Sequence, residues 1–443
     1  KMKKVIALLL ALLMVFSLVA CGASKDTEPS KPAESPAPAD SGEKNDPAPA
    51  DSDESEAPEA SGITSANEFE KGIGWELIAL PENEGLAASA VSAKLAEEAG
   101  VSTIGWYHDD VDPFARDTYK LCYLRMGTMV IHTSMMAAIE KDWIPRLNIT
   151  IDEFDANNEI DRMMNAIELY AMQGYDGLIV DPDVTVSVRT KELCAELEMP
   201  WMPCWNPIVD DNNVRIYPGT SLDSVYCGTM QAKWLIDNYK TYFGDIDVNE
   251  LGFIFISASF NQNFIENEQG AMEYWLECFP DGQARYFLAD CIAESNPVSA
   301  EAGYNQSGAI MSAHSEIKYW LVASCLEDYG QGAARVAESQ GIDKNVIVCT
   351  NGANILIPAW RDGSESGTCW KAALHYGMNM FAEPVLCGLI ALIDGRATPE
   401  NLFVEWIKPG QTGAEVRCDW RIVSENDYQD YLDYIDSYMG TVD

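Results

Sequence analysis

From Lys120 onward the chain alternates short apolar runs with longer stretches whose apolar residues recur at helical spacing. That is the pattern of a parallel sheet covered by helices on both faces. The first set of predicted strands is Leu121–Leu124, Asn148–Ile151, Gly177–Val180, Trp201–Cys204 and Val214–Tyr217. A second set follows at Leu251–Ile256, Ala284–Leu288, Tyr319–Ala323 and Val346–Cys349. Between them the spacing predicts helices over Glu159–Gln173, Val188–Leu197, Tyr226–Tyr239, Gln269–Cys278, Gly332–Ser339 and Pro384–Ile393. Gly174, just past the periodic residues of its helix, is a C-terminal stop. Two such sets predict two α/β lobes, each a doubly wound parallel sheet.

The first residues carry a different pattern. Lys1, Lys3 and Lys4 precede an apolar run from Val5 to Val19, which closes on Leu18-Val19-Ala20-Cys21. A basic start, an apolar stretch and a small residue before the cleavage point are the parts of a secretory signal. With cysteine next, the stretch resembles a bacterial lipoprotein signal. That resemblance implies a signal peptide over 1–20, lipidation of Cys21, and a mature chain on the outer face of a membrane. Residues 21–61 follow, and from Ser24 they are almost wholly Pro, Ala, Ser, Asp, Glu and Lys. Such a segment buries too little apolar surface to offset the entropy of ordering, so it reads as an acidic, disordered stalk.

Composition narrows the partners. The formal net charge of -41 disfavours nucleic acid and anionic lipid surfaces. Beyond Cys21 the cysteines are scattered singly, with no C-x-x-C pair, which argues against a zinc site; several lie inside apolar strand-like runs and read as buried thiols. No G-x-S-x-G elbow, P-loop, G-x-G-x-x-G after a strand or H-E-x-x-H is present, so no enzyme class and no cofactor is indicated.

Residues 149–202 hold the most specific order of features: a strand, an Asp/Asn-rich turn at Asp155–Asn158, an amphipathic helix, then Gly174-Tyr175-Asp176-Gly177-Leu178-Ile179-Val180-Asp181-Pro182. A further helix ends in Glu198-Met199-Pro200 before the next strand. Asp223 followed by Gly228 and Asn351-Gly352 after the Val346 strand extend the pattern. In this order the chain resembles the type 1 periplasmic binding proteins, and among them the ribose-binding-like sugar receptors of ABC importers, from about Lys120 to Ile407. The resemblance implies a hinge of three crossovers, near Tyr217–Ser221, Asn351–Lys371 and Phe403–Lys408. It implies lobe one over 118–218 plus 370–404 and lobe two over 219–369 plus 405–443. Residues 62–117 are an N-terminal extension outside the resemblance, with a helix near Leu86–Ala99.

Ligands of open α/β sheets bind beyond the carboxyl ends of the strands, which makes residues just past strand ends the candidates. Trp205 and Asn206 fall where the family carries Asp-Arg, Asp181 matches a family position, and Asn351 falls where the family has aspartate. Asn267 or Gln269 lies near the family's arginine; His132 follows the first strand; Trp370 or Lys371 lies in the second crossover region. Asp181, standing before Pro182, is equally placed to cap a helix or shape a turn. Leu326-Glu327 stand where the family often has Asn-Asp, a departure that points away from a simple aldopentose or aldohexose. The resemblance implies a lipid-anchored, extracytoplasmic receptor that takes a small polar solute, a carbohydrate first, to an ABC permease. A nucleoside receptor or a signalling receptor of the same fold is the alternative, and a glycoside-processing enzyme a more distant one.

Overall fold

The computed structural model describes residues 69–439 apart from 81–82, 84–85, 100–102, 104, 107–111 and 419. The signal peptide, Cys21 and the stalk therefore lie outside the described residues. In chain order the strands are β1 (Tyr119–Arg125), β2 (Ile149–Asp155), β3 (Gly177–Asp181), β4 (Trp201–Pro203), β5 (Gly219–Ser221), β6 (Leu251–Ser257), β7 (Tyr286–Asp290), β8 (Tyr319–Ser324), β9 (Val346–Asn351), β10 (Trp370–Tyr376), β11 (Glu415–Arg417) and β12 (Trp420–Ser424). The helices that bear on the argument are α1 (Ile73–Ile78), α2 (Ala88–Ala99), α3 (Val130–Ala138), α4 (Ile160–Met172), α5 (Ser187–Glu196), α6 (Ser224–Phe243), α7 (Gln262–Cys278), α8 (Ala300–Ala313), α9 (Glu327–Gln340), α10 (Leu356–Asp362), α11 (Met378–Ile393) and α12 (Tyr428–Met439).

Two sheets result. The first has the order β2-β1-β3-β4 and is parallel throughout. The second has the order β12-β10-β9-β8-β6-β7, parallel except for β12, which runs against β10. Every residue of β3 and of β6 is buried, as strands covered by helices on both faces require. α4 buries Met163, Ala166 and Ile167 on one stripe, and Gly174, at φ 74°, ends that segment in the left-handed region open to glycine. Cys122, Cys194, Cys204, Cys227, Cys291, Cys325, Cys349 and Cys369 are buried thiols. The strand order reverses between β1 and β3 in the first sheet and between β6 and β8 in the second, and such switch points open a crevice at the carboxyl ends.

The boundaries differ from the sequence reading in two places. The sequence assigns 370–404 to lobe one, whereas β10 pairs with β9 and β12 in the second sheet. Its Ala372, Ala373 and Leu374 are fully buried there, so the strand is a sheet interior rather than a connection. The second crossover accordingly falls at Tyr376–Met378, where the chain enters α11; Leu389 and Ile393 of that helix pack over Gly177 of β3 in the first lobe. The predicted strand at Val214–Tyr217 forms only an isolated bridge from Arg215 to Val209. The extended segment is β5 instead, and it pairs in parallel with β11, so the first crossover is joined to the segment that follows the third in a small sheet of their own.

Candidate functional site

The β1/β3 switch point gathers four polar and aromatic side chains. Asp181 ends β3 and is only 3% exposed. His132, wholly buried, enters from α3 and brings Nε2 to 3.3 Å from Asp181 Oδ2. That approach is angled away from a hydrogen bond, and neither ring nitrogen has a hydrogen-bond partner among the described residues. Asn206 donates its Nδ2 to Asp181 Oδ1 at 2.9 Å. Burial pushes the Asp181 carboxyl up, and the neighbouring His132 and Asn206 oppose that rise by favouring the charged form.

Trp205 occupies the turn after β4 with φ 66°, a left-handed conformation that a bulky side chain adopts only when its surroundings hold it. Two contacts hold it. The indole lies flat on Phe381 of α11, centroids 4.0 Å apart and planes at 13°, and its Nε1 donates to Tyr123 Oη at 2.8 Å. His132 stands beside it at 6.0 Å between centroids. Cys204 is also in this group, but burial pushes its thiol well above the usual range, which keeps it protonated and unreactive.

From the second lobe comes Tyr376, the last residue of β10, whose ring lies 6.5 Å from that of Trp205. Glu327 opens α9 directly after β8, 7% exposed, and accepts from the Ile355 backbone N–H at 2.8 Å and Asn354 Nδ2 at 3.4 Å. Burial pushes its carboxyl up to about 7. Gly352, at φ 101°, is required beside it, because a Cβ there would meet Glu327 Cγ at 2.8 Å. Asn351 ends β9 with its Oδ1 buried and without a hydrogen-bond partner among the described residues. Aromatic faces with fixed amide and carboxylate groups are what a polyhydroxylated ring requires: apolar contact for its C–H face and planar partners for its hydroxyls.

Of the sequence-stated candidates, Asp181, His132, Trp205 and Asn206 are thus in mutual contact, and Asn351 ends a strand of the facing lobe. The others lie elsewhere. Asn267 is buried between α6 and α7, where its Nδ2 donates to the Ser224 carbonyl and to Gln231 Oε1. Gln269 is exposed and pairs with Glu273 one turn on, because the inward stripe of α7 is Asn267, Gly270 and Ala271. Trp370 begins β10, at the end away from the crevice, and donates to Thr350 Oγ1; Lys371 beside it lies 5.5 Å from the Tyr242 ring centroid. Tyr123, Tyr376, Phe381 and Glu327 complete the constellation and are not among the sequence candidates. Tyr376, closing an apolar run before Gly377, carried the same strand-end signal as Asp181.

No protein-family model matches the chain, and no curated protein matches its sequence. Solved structures do resemble it. A periplasmic solute-binding protein of an ABC transporter from Actinobacillus succinogenes 130z, with bound D-allose, is 14% identical at a TM-score of 0.55, the match covering 71% of this chain and 100% of that one. A galactofuranose-binding protein is 15% identical at 0.55, covering 73% and 100%. The periplasmic binding component of the arabinose ABC transporter from Shewanella sp. ANA-3, bound to α- and β-L-arabinofuranose, is 15% identical at 0.53, covering 71% and 95%. The fold is that of the type 1 periplasmic binding proteins.

Proposed function

We propose that this chain is an extracytoplasmic receptor that closes its two lobes on a sugar-like solute and hands it to an ABC permease, tethered to the membrane through Cys21. The observation that carries the solute reading is the Trp205–His132–Asp181–Asn206 group at the first switch point, with Tyr376 reaching it from the second sheet. Structural neighbours that bind D-allose, galactofuranose and L-arabinofuranose support a carbohydrate. The signal-like segment before Cys21 supports the anchor and the extracytoplasmic location. A solute bound across both lobes favours closure through its greater affinity for the closed state.

A thermal-shift panel of mono- and oligosaccharides, polyols, nucleosides and amino acids tests the reading, since a ligand bound only by the folded state raises Tm by mass action. One sugar class should give a saturable rise, about 2.7 kcal/mol of added stability at a hundredfold excess over Kd. A rise with nucleosides alone would replace the sugar; no rise, together with turnover of a chromogenic glycoside, would overturn the receptor.

A further inference from the structure

The N-terminal extension packs on the hinge. Ser89 of α2 donates to Glu383 Oε2 at 2.8 Å, and Tyr438 donates to the same oxygen at 2.8 Å, with the two hydroxyls also in contact. Glu383 belongs to α11, the helix laid over the first sheet; Tyr438 belongs to α12, which packs on the second sheet through Tyr431 against His375, centroids 5.7 Å apart. One carboxylate oxygen therefore joins the extension, lobe one and lobe two.

A turn further along α2, Ser92 reaches the third crossover. Its hydroxyl donates to Glu405 Oε1 at 2.6 Å and accepts from Trp406 Nε1 at 2.9 Å, while Trp106 Nε1 donates to Glu405 Oε1 at 3.1 Å. At the other end, Trp75 of α1 donates to the Glu415 carbonyl of β11 at 2.9 Å and lies under Lys408 Nζ, 3.4 Å from the ring centroid. The fit is close: a Cβ on Gly74 would meet Trp406 at 2.9 Å, and one on Gly105 would meet Leu402 and Phe403 at 2.5 and 2.6 Å. The allose-bound neighbour is matched over its whole length while 29% of this chain is left over, close to the share that residues 1–117 make up.

We propose that the described residues between 69 and 106, through Trp75, Ser89, Ser92 and Trp106, form a hinge clamp, which ties both lobes and the third crossover at one junction and so limits how far the cleft opens. The apparent affinity of a two-lobed receptor falls as the fraction of molecules in the binding-competent form falls. Bonds that span the hinge narrow that range. The consequence for affinity rests on the receptor reading above; the clamp itself does not.

The test uses the full chain without any solute. In the Ser89→Ala/Tyr438→Phe variant, which removes both hydroxyls from Glu383, small-angle scattering should show a larger radius of gyration. Hydrogen exchange should speed up about tenfold at the Trp406 and Ile407 amides and at Gly219 in the first crossover. Should that pair fail to fold, Glu383→Leu, which removes the acceptor shared by both hydroxyls, is read the same way. Unchanged scattering, or faster exchange confined to the neighbourhood of residues 89 and 438, would overturn the clamp. A sugar panel with no binder would remove the receptor reading and leave this result standing.

Discussion

At the residue scale the informative position is Trp205. Its left-handed backbone and its stacking on Phe381 fix the indole where the carboxyl ends of β1, β3 and β10 converge. Trp205→Ala should weaken binding of whichever sugar the thermal panel selects by about a hundredfold, ~2.7 kcal/mol, the scale of losing an aromatic anchor. Calorimetric titration reads it, and an unchanged Kd would remove Trp205 from the site. The sequence made this residue and its neighbours legible because Trp205, Asn206 and Asp181 each follow an apolar strand run directly. Gln269, Trp370 and Lys371 stand apart from this group for reasons of phase and direction. Gln269 sits on an exposed helix position two residues from the buried Asn267, and two helical steps of about 100° each turn it to the opposite face. Trp370 and Lys371 belong to an unrecognised strand and stand at its amino end, and strand direction is invisible until the sheet partner is known.

At the element scale, the contact of α6 with α7 depends on two glycines. A Cβ on Gly228 would lie 1.7 Å from the Asn267 carbonyl oxygen, and one on Gly270 would lie 1.9 Å from that of Val225. The helices therefore cross backbone to backbone, and Thr229 Oγ1 bonds the Gly270 carbonyl at 3.3 Å. Gly228→Ala must push them apart, at a cost of about 2–3 kcal/mol. Chemical denaturation should show a lower midpoint with the slope preserved; a midpoint equal to the parent's would mean that the crossing relaxes freely. Elements whose pattern is local were readable: β6 is a continuous apolar run, and Asp223 caps α6 by accepting from the Tyr226 N–H at 3.0 Å. β10 and β12 were not, because their edges are satisfied by strands distant in sequence, β9 and each other. The helical segment after β1 was missed too; α3 runs on through a π turn at Ile139–Trp143 that breaks the 3.6-residue period.

At the scale of the whole molecule, buried carboxylates and net charge set the main pH response, while buried His375, pushed down to about 4 by burial, opposes it between that value and 6.5. Burial pushes Glu327 and Glu383 up to about 7 each, and it raises Glu405 and Asp181 as well. Tyr438 and Ser89 face Glu383; Asn354 and the Ile355 N–H face Glu327, with Tyr376 nearby. In the unfolded chain these glutamates ionise near the ordinary value of 4.5. Between that value and about 7 the folded state holds protons that the unfolded state has released, so stability falls as pH rises through this window. The contribution is fully present below 4.5 and lost above about 7. A net charge of -41 acts in the same direction, since ionising further carboxylates adds repulsion in the compact state. Asp155, Asp210, Asp290 and Asp362 are held below the usual range and oppose this trend only at lower pH, where they take up protons. The melting temperature should therefore be higher at pH 5 than at pH 8. Glu383→Gln and Glu327→Gln should each flatten part of the slope, since a neutral amide leaves no proton to lose. A melting temperature that climbs steadily from pH 5 to 8 would contradict the assignment of both buried acids.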